Sequence, residues 1–301
     1  AVATATVEST GPAITDIGIS PTSPHNDETL TCSATASDAD GETPTISYSW
    51  STGATGPSIT LTESTRPGEA VVCTATATDV SGLSDTAEAS VTVSNRDPSF
   101  TTVTVTPPIA KVGDTLTCDA TATDEDGGTP TITYTWSTGG TGTTYTVTSA
   151  DEPGDTITCT VTATDADGGT ATDSASSEVE GTEPIITDIS VSPPTAQVGD
   201  TLTCTATATD PDGGTPTIAY TWSTGDSGTT TTVSATDDPG DTITCTATAT
   251  DTEGGSDTES ASATVINTDP VLSSASVSPA TAQVGNTLIC SATATDADGG
   301  T

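Results

Sequence analysis

Apolar and polar positions alternate along this chain. In residues 116–123, Leu116, Cys118, Ala120 and Ala122 share one face, and Thr117, Asp119, Thr121 and Thr123 share the other. That period of two is the mark of a half-buried strand. The same reading over residues 98–183 predicts strands at 100–105, 116–123, 131–136, 144–148, 156–164 and 172–179. Ile132, Tyr134 and Trp136 face inward on one of them, and Ile157, Cys159, Val161 and Ala163 on another. Pro107 and Pro108 break the first strand, as prolines do at sheet edges. Acidic, glycine-rich turns separate the runs, and no stretch has helical periodicity.

The pattern then recurs every 86 residues. Cys32, Cys118, Cys204 and Cys290 keep one phase, Trp50, Trp136 and Trp222 a second, and Cys73, Cys159 and Cys245 a third. Pro12, Pro98, Pro184 and Pro270 mark the unit starts. Three full units follow, at 12–97, 98–183 and 184–269. Residues 1–11 match the end of a preceding unit, and 270–301 match the first part of another. The expectation is a window on a longer array.

Each unit is short of core material. Hydrophobic residues are 31% and aromatics 3% of the chain. The pairs Cys32–Cys73, Cys118–Cys159 and Cys204–Cys245 are read as disulfides that compensate. Cys290 is unpaired within this window. Closing a 41-residue loop stabilises a unit by about 4 kcal/mol on the chain-entropy model. Paired cysteines at fixed phase point to an oxidising, extracellular or cell-surface setting. Zinc thiolates are the alternative, but the cysteines lie far apart and there is one histidine.

Charge narrows the partners. The net charge is −39, with three basic residues. Nucleic acid and anionic membranes need a cationic face, so both are excluded. No apolar run is long enough for membrane insertion. An acidic surface suits cations, high solubility and salty surroundings, or simply keeps an array extended by self-repulsion.

Seven or so short strands with regular turns predict an all-β fold of tandem sandwiches. The order Cys, Trp, Cys resembles the immunoglobulin arrangement, which implies a bridge between the two sheets with the indole packed on it. Ile157 stands where immunoglobulin domains carry a tyrosine two residues before the second cysteine. The stretches D-P-D-G-G-T-P-T-I-A-Y-T-W-S-T-G-D-S-G (210–228) and P-G-D-T-I-T-C-T-A-T-A-T-D-T-E-G-G (239–255) resemble PKD-like and related Ig-like repeats of large bacterial or archaeal surface proteins. Those repeats carry a W-D-F-G-D-G turn that is W-S-T-G here, and a cysteine pair is not typical of them. The resemblance implies an extracellular spacer, stalk or adhesion role without catalysis.

The turns carry the candidate chemistry. D-x-D-G follows the second strand of each unit, with Asp38 and Asp40, Asp124 and Asp126, Asp210 and Asp212, and Asp296 and Asp298. A second acidic turn follows the sixth strand, with Asp79, with Asp165 and Asp167, and with Asp251 and Glu253. The linkers bring Asp97, Glu183 and Asp269. In an Ig-like sandwich both loops lie at the end where the chain enters, so three sets of carboxylates converge there. Converging carboxylate oxygens are what Ca²⁺ requires. The other reading is that Asp and Gly are ordinary turn residues bonding their own backbone. No loop has the twelve-residue EF-hand spacing.

The repeated T-A-T-A-T-D motif suits a solvent face of a sheet, and it also offers Thr and Ser for O-glycans or a flat regular surface for a crystal. His25 is Lys111, Gln197 and Gln283 in the other units, so no repeated catalytic histidine exists and the expectation is no enzyme. The linkers 95–98, 181–184 and 267–270 are short and place proline after an acidic residue, which favours extended backbone. Units are expected to stack end to end with limited bending, each adding roughly 35–45 Å. The resulting reading is a structural segment of a fibre, stalk or adhesin shaft. Its partners would be neighbouring repeats or copies of the same protein. The alternatives are a carbohydrate- or partner-binding array, or a linker in a large secreted enzyme.

Overall fold

The computed structural model describes residues 3–6 and 8–299. The first repeat contains β1 (Ala13–Ser20), β2 (Thr29–Ser37), β3 (Thr45–Trp50), β4 (Ser58–Thr60), β5 (Ala70–Thr78) and β6 (Ser84–Thr92). One sheet has the order β1-β2-β4 and the other β3-β5-β6. The second repeat contains β7 (Ser99–Thr106), β8 (Ile109–Ala110), β9 (Thr115–Thr123), β10 (Thr131–Trp136), β11 (Thr144–Thr146), β12 (Thr156–Thr164) and β13 (Thr170–Val179). Its sheets are β11-β9-β7 and β10-β12-β13-β8. The third contains β14 (Ile185–Ser192), β15 (Thr195–Ala196), β16 (Thr201–Thr209), β17 (Thr217–Trp222), β18 (Thr230–Thr232), β19 (Thr242–Thr250) and β20 (Ser256–Val265). It repeats the second as β14-β16-β18 and β15-β20-β19-β17. A last hairpin pairs β21 (Val271–Ser278) with β22 (Ile289–Thr295).

The predicted strands are present, and the two-residue strands β8 and β15 are additional. After the proline pair the chain crosses to the opposite sheet, where Ile109 and Ala110 pair in parallel with Glu178 and Val179. In the first repeat Pro24 occupies the Ala110 position. Its carbonyl still accepts from Ser94 N–H at 2.7 Å, but proline has no N–H to extend the ladder, and no strand forms there.

Alternation explains the layers. On β16 the exposed threonines alternate with Leu202, Cys204, Ala206 and Ala208, whose burial declines along the strand. Three bridges, Cys32–Cys73, Cys118–Cys159 and Cys204–Cys245, join the second strand of one sheet to the middle of the other, with Cα–Cα separations of 6.3–6.4 Å. Cys290 is free and exposed. Each tryptophan lies opposite the second cysteine of its repeat, as in Trp222↔Cys245. Its indole N–H donates to the carbonyl of Gly56, Gly142 or Gly228 at 2.9–3.0 Å. These glycines have φ between +96° and +105°, a conformation that turns the carbonyl toward the ring and that a side chain would oppose. In the third repeat Leu202, Trp222, Val233, Ile243 and Val265 pack around the bridge. A separate, thinner cluster of Ile186, Ala247 and Ala249 lies toward the acidic turns.

Contacts divide the chain into two compact units. One comprises Ala1–Thr106, Thr117–Tyr145 and Ile157–Ser176. It holds the first repeat, the first linker and the acidic turns of the second repeat. The other comprises Pro107–Leu116, Thr146–Thr156 and Ser177–Thr301. It holds the second linker and the third repeat. No helix among the described residues is long and apolar enough to cross a membrane.

Candidate metal centre at the domain joints

Topology brings the acidic turns together. The linker leads into the first strand of a repeat, which runs antiparallel to the second, so the turn leaving the second strand lies beside the incoming chain. In each case a linker backbone N–H donates to the second aspartate of D-x-D-G. Thr10 donates to Asp40 at 2.7 Å, Arg96 to Asp126, Thr182 to Asp212 and Thr268 to Asp298. The first aspartate caps its own turn. Asp38, Asp124, Asp210 and Asp296 accept from the N–H two residues on, at 2.8–3.1 Å. The ordinary turn chemistry is therefore present, and it uses one oxygen of each first aspartate.

Two groups of carboxylates gather beyond that. Oxygens of Asp38, Glu42 and Asp79 lie within 4.8 Å of one another, as do those of Asp210, Asp251 and Glu253. Two oxygens on opposite sides of Ca²⁺, each at about 2.4 Å, stand about 4.8 Å apart. The donor set is all hard oxygen, which suits Ca²⁺ rather than a thiophilic metal. Asp38 Oδ2 and Glu42 Oε2 are buried with no hydrogen-bond partner, and buried acceptors of that kind are costly when left unpaired. A Cβ at Gly255 would stand 2.4 Å from Asp251 Oδ2, whereas the first group forms with Leu83 at the corresponding place.

The joint between the first and second repeats is built differently. Arg96 Nη1 donates to Asp126 Oδ1 at 2.9 Å, and its other nitrogens reach Asp27 and, at 3.5 Å, Glu125. Arg96 holds Asp27 below the usual carboxylate range, and Asp27 raises the guanidinium in turn. Asn26, buried, donates to the Asp126 carbonyl at 2.6 Å, and Asn95 donates to Asp165 Oδ2 at 3.0 Å. Burial pushes Asp165 up, but Asn95 and the N–H groups of Gly169, Asp167 and Gly168 together hold it low. Asp124 is raised, first by burial and then by the charges of Asp165, Asp126 and Asp167.

Of the carboxylates read from sequence, Asp38, Asp79, Asp210, Asp251 and Glu253 fall in the two groups. Asp40, Asp126, Asp212 and Asp298 hold the linkers. Asp97 is exposed, yet its Oδ1 stands with Asp165 Oδ2 and Asn95 Nδ2 over Gly169. Asp167 and Glu183 are exposed at the rims of cavities, and Asp269 is exposed on its linker. Glu42 was missed by the repeat comparison because its counterparts are Gly128 and Gly214. Its signal is a carboxylate two residues beyond D-A-D. The linker amides were missed because an N–H leaves no mark in a sequence.

No protein-family model matches this chain, and no curated protein does. Among solved structures it is similar to three N-terminal domains of the highly immunogenic outer capsid protein of bacteriophage RB49, at 16% identity and TM-score 0.28, covering 84% of this chain and 99% of that one. It is similar to part of a 1.5-MDa bacterial ice-binding adhesin, at 16% identity and TM-score 0.36, covering 86% and 99%. Sidekick-1 immunoglobulin domains 1–4 are similar at 16% identity and TM-score 0.32, covering 84% and 76%. By its own strand order and bridges, the chain is an all-β tandem array of Ig-like sandwiches with one disulfide in each complete repeat.

Proposed function

We propose that this chain is a non-catalytic spacer segment of a long extracellular protein, working as a fibre, stalk or adhesin shaft, with Ca²⁺ stiffening its joints. The observation that carries the reading is the repeated anchor at the linkers: four times, the incoming chain is tied by its backbone to a carboxylate in the turn after the second strand of the unit it enters, three sandwiches and the last hairpin. A tether meant to bend freely would have glycine- and serine-rich linkers instead. Disulfides support an oxidising setting, and repeated modules add length with nearly additive stability. Ca²⁺ would be held by Asp38, Glu42 and Asp79 and by Asp210, Asp251 and Glu253. It would neutralise carboxylates that otherwise repel. A sugar- or partner-binding array is less well supported. Tyr145, an aromatic candidate for such a surface, packs against Trp136 with centroids 5.8 Å apart.

Single-molecule pulling tests the mechanical role. With its bridge intact, an 86-residue repeat that locks 41 residues releases about 45 residues, roughly 160 Å of contour at about 3.5 Å per residue. After reduction the increment should rise to roughly 300 Å, less the folded length in each case. A regular sawtooth with that change supports the reading. Featureless extension, or increments unaffected by reductant, would refute it.

A further inference from the structure

The two complete joints differ at several corresponding positions, Arg66 against Glu152 on the cavity wall among them, and four of them form a connected set. Arg96 corresponds to Thr182, Asn95 to Gly181, Asp27 to Gly113 and Asn26 to Val112. Three of the four first-joint residues are bonded to one another or to Asp126, and the fourth, Asn95, to Asp165. They therefore act as a set that fills the first joint with the chain's own donors and its own positive charge. At the second joint that set is missing while the carboxylates remain. Asp212 is 9% exposed. Its Oδ2 accepts from Thr182 N–H, but its Oδ1, the atom corresponding to the one Arg96 holds on Asp126, is buried without a hydrogen-bond partner, and so is Thr182 Oγ1. Asp212 and Glu253 line one cavity of about 370 Å³ together with Glu152 and Ser149. Asp210, whose Oδ1 takes Asp212 N–H at 3.0 Å, is grouped with Asp251 and Glu253.

We propose that Arg96 is a covalently supplied cation that replaces Ca²⁺ at the first joint, and that the second joint takes Ca²⁺ from solution on Asp210, Asp212, Asp251 and Glu253. The idea rests on the calcium reading above and adds that calcium dependence differs from joint to joint along one array. The physical reason is the cost of an unpaired buried carboxylate. At the first joint a guanidinium fixed in place meets it and at the second a divalent ion drawn from the medium, whereas at the last linker the Thr268 hydroxyl donates to Asp298 Oδ1 at 2.9 Å. The first joint would hold its geometry without calcium. The second would hold it only where calcium is plentiful, as it is outside cells.

Hydrogen-exchange mass spectrometry on the full chain, in calcium chloride and in chelator, tests this. Calcium at ten times its dissociation constant should slow exchange about tenfold in peptides covering 210–214 and 251–255, and leave 124–128 and 165–169 unchanged. In the double variant Asn95→Gly, Arg96→Thr the first joint should become calcium-responsive by a similar factor. Asp212→Asn should abolish the response at 210–214, which keeps the test decisive if the double variant does not fold. Equal responses at both joints of the unaltered chain would overturn the inference and leave the calcium reading standing, as would a folded double variant whose first joint ignores calcium. No response in any segment would overturn both.

Discussion

The joint entered through Arg96 and the joint entered through Thr182 share a backbone device and differ in charge chemistry. In both, a linker N–H is fixed to a nearly buried aspartate. In the first, that aspartate also faces a guanidinium, and in the second one of its oxygens faces no donor. The lesson concerns repeats in general. The strand and turn framework is copied from unit to unit because each copy must bury the same Leu, Trp and disulfide. The joints are free to diverge because each has to balance only its own local charge. Neutralisation by arginine draws no ion from the medium, whereas neutralisation by a divalent ion makes the joint conditional on its supply.

The largest expected effect should leave this contrast intact. Replacing Cys118 and Cys159 by alanine, or Cys204 and Cys245, should cost about 2–5 kcal/mol in either repeat, read by urea denaturation of each variant. A cost confined to one repeat would mean that the joints and not the bridges dominate stability. Next, Asp126→Ala removes the partner of Arg96 Nη1 and of its backbone N–H, and should cost about 2 kcal/mol. Asp212→Ala in chelator should cost clearly less, because it loses one backbone bond and relieves an unpaired oxygen. Equal costs would erase the distinction between the joints.

The smallest effect is in the pH dependence. Asp165 is held below its unfolded value, so its stabilising contribution is present above that value, about 3.9, and is lost as the pH falls through the lower folded one. Asn95→Ala should therefore destabilise by about 1 kcal/mol at pH 7 and by progressively less as the pH falls below about 3.9. Asp124 has the opposite sign. Its folded pKa is raised, so stability falls as the pH rises from the unfolded value through the folded one. Asp124→Asn should stabilise slightly at pH 7 and leave pH 3 stability unchanged.

Much of this architecture is legible in residue order. Strict alternation placed the long strands, and the spacing of Cys, Trp and Cys led to the bridges, because burial of one face forces a period of two. The parallel strands β8 and β15 escaped notice because two residues carry no period and follow prolines that read as an ending. Convergence of the acidic turns followed from topology. What escaped was pairing that depends on one side chain in one copy. Arg96 with Asp27, and Glu42 with Asp38, vary between repeats and look like noise when copies are aligned for what they share.

A calcium titration followed by two-dimensional amide NMR tests the joint contrast most directly, since both acidic turns of each joint contain glycines. The amides of Gly213, Gly214, Gly254 and Gly255 should shift saturably with calcium, while those of Gly127, Gly128, Gly168 and Gly169 stay in place. Shifts of equal size in both sets, or in the first-joint set alone, would contradict the account.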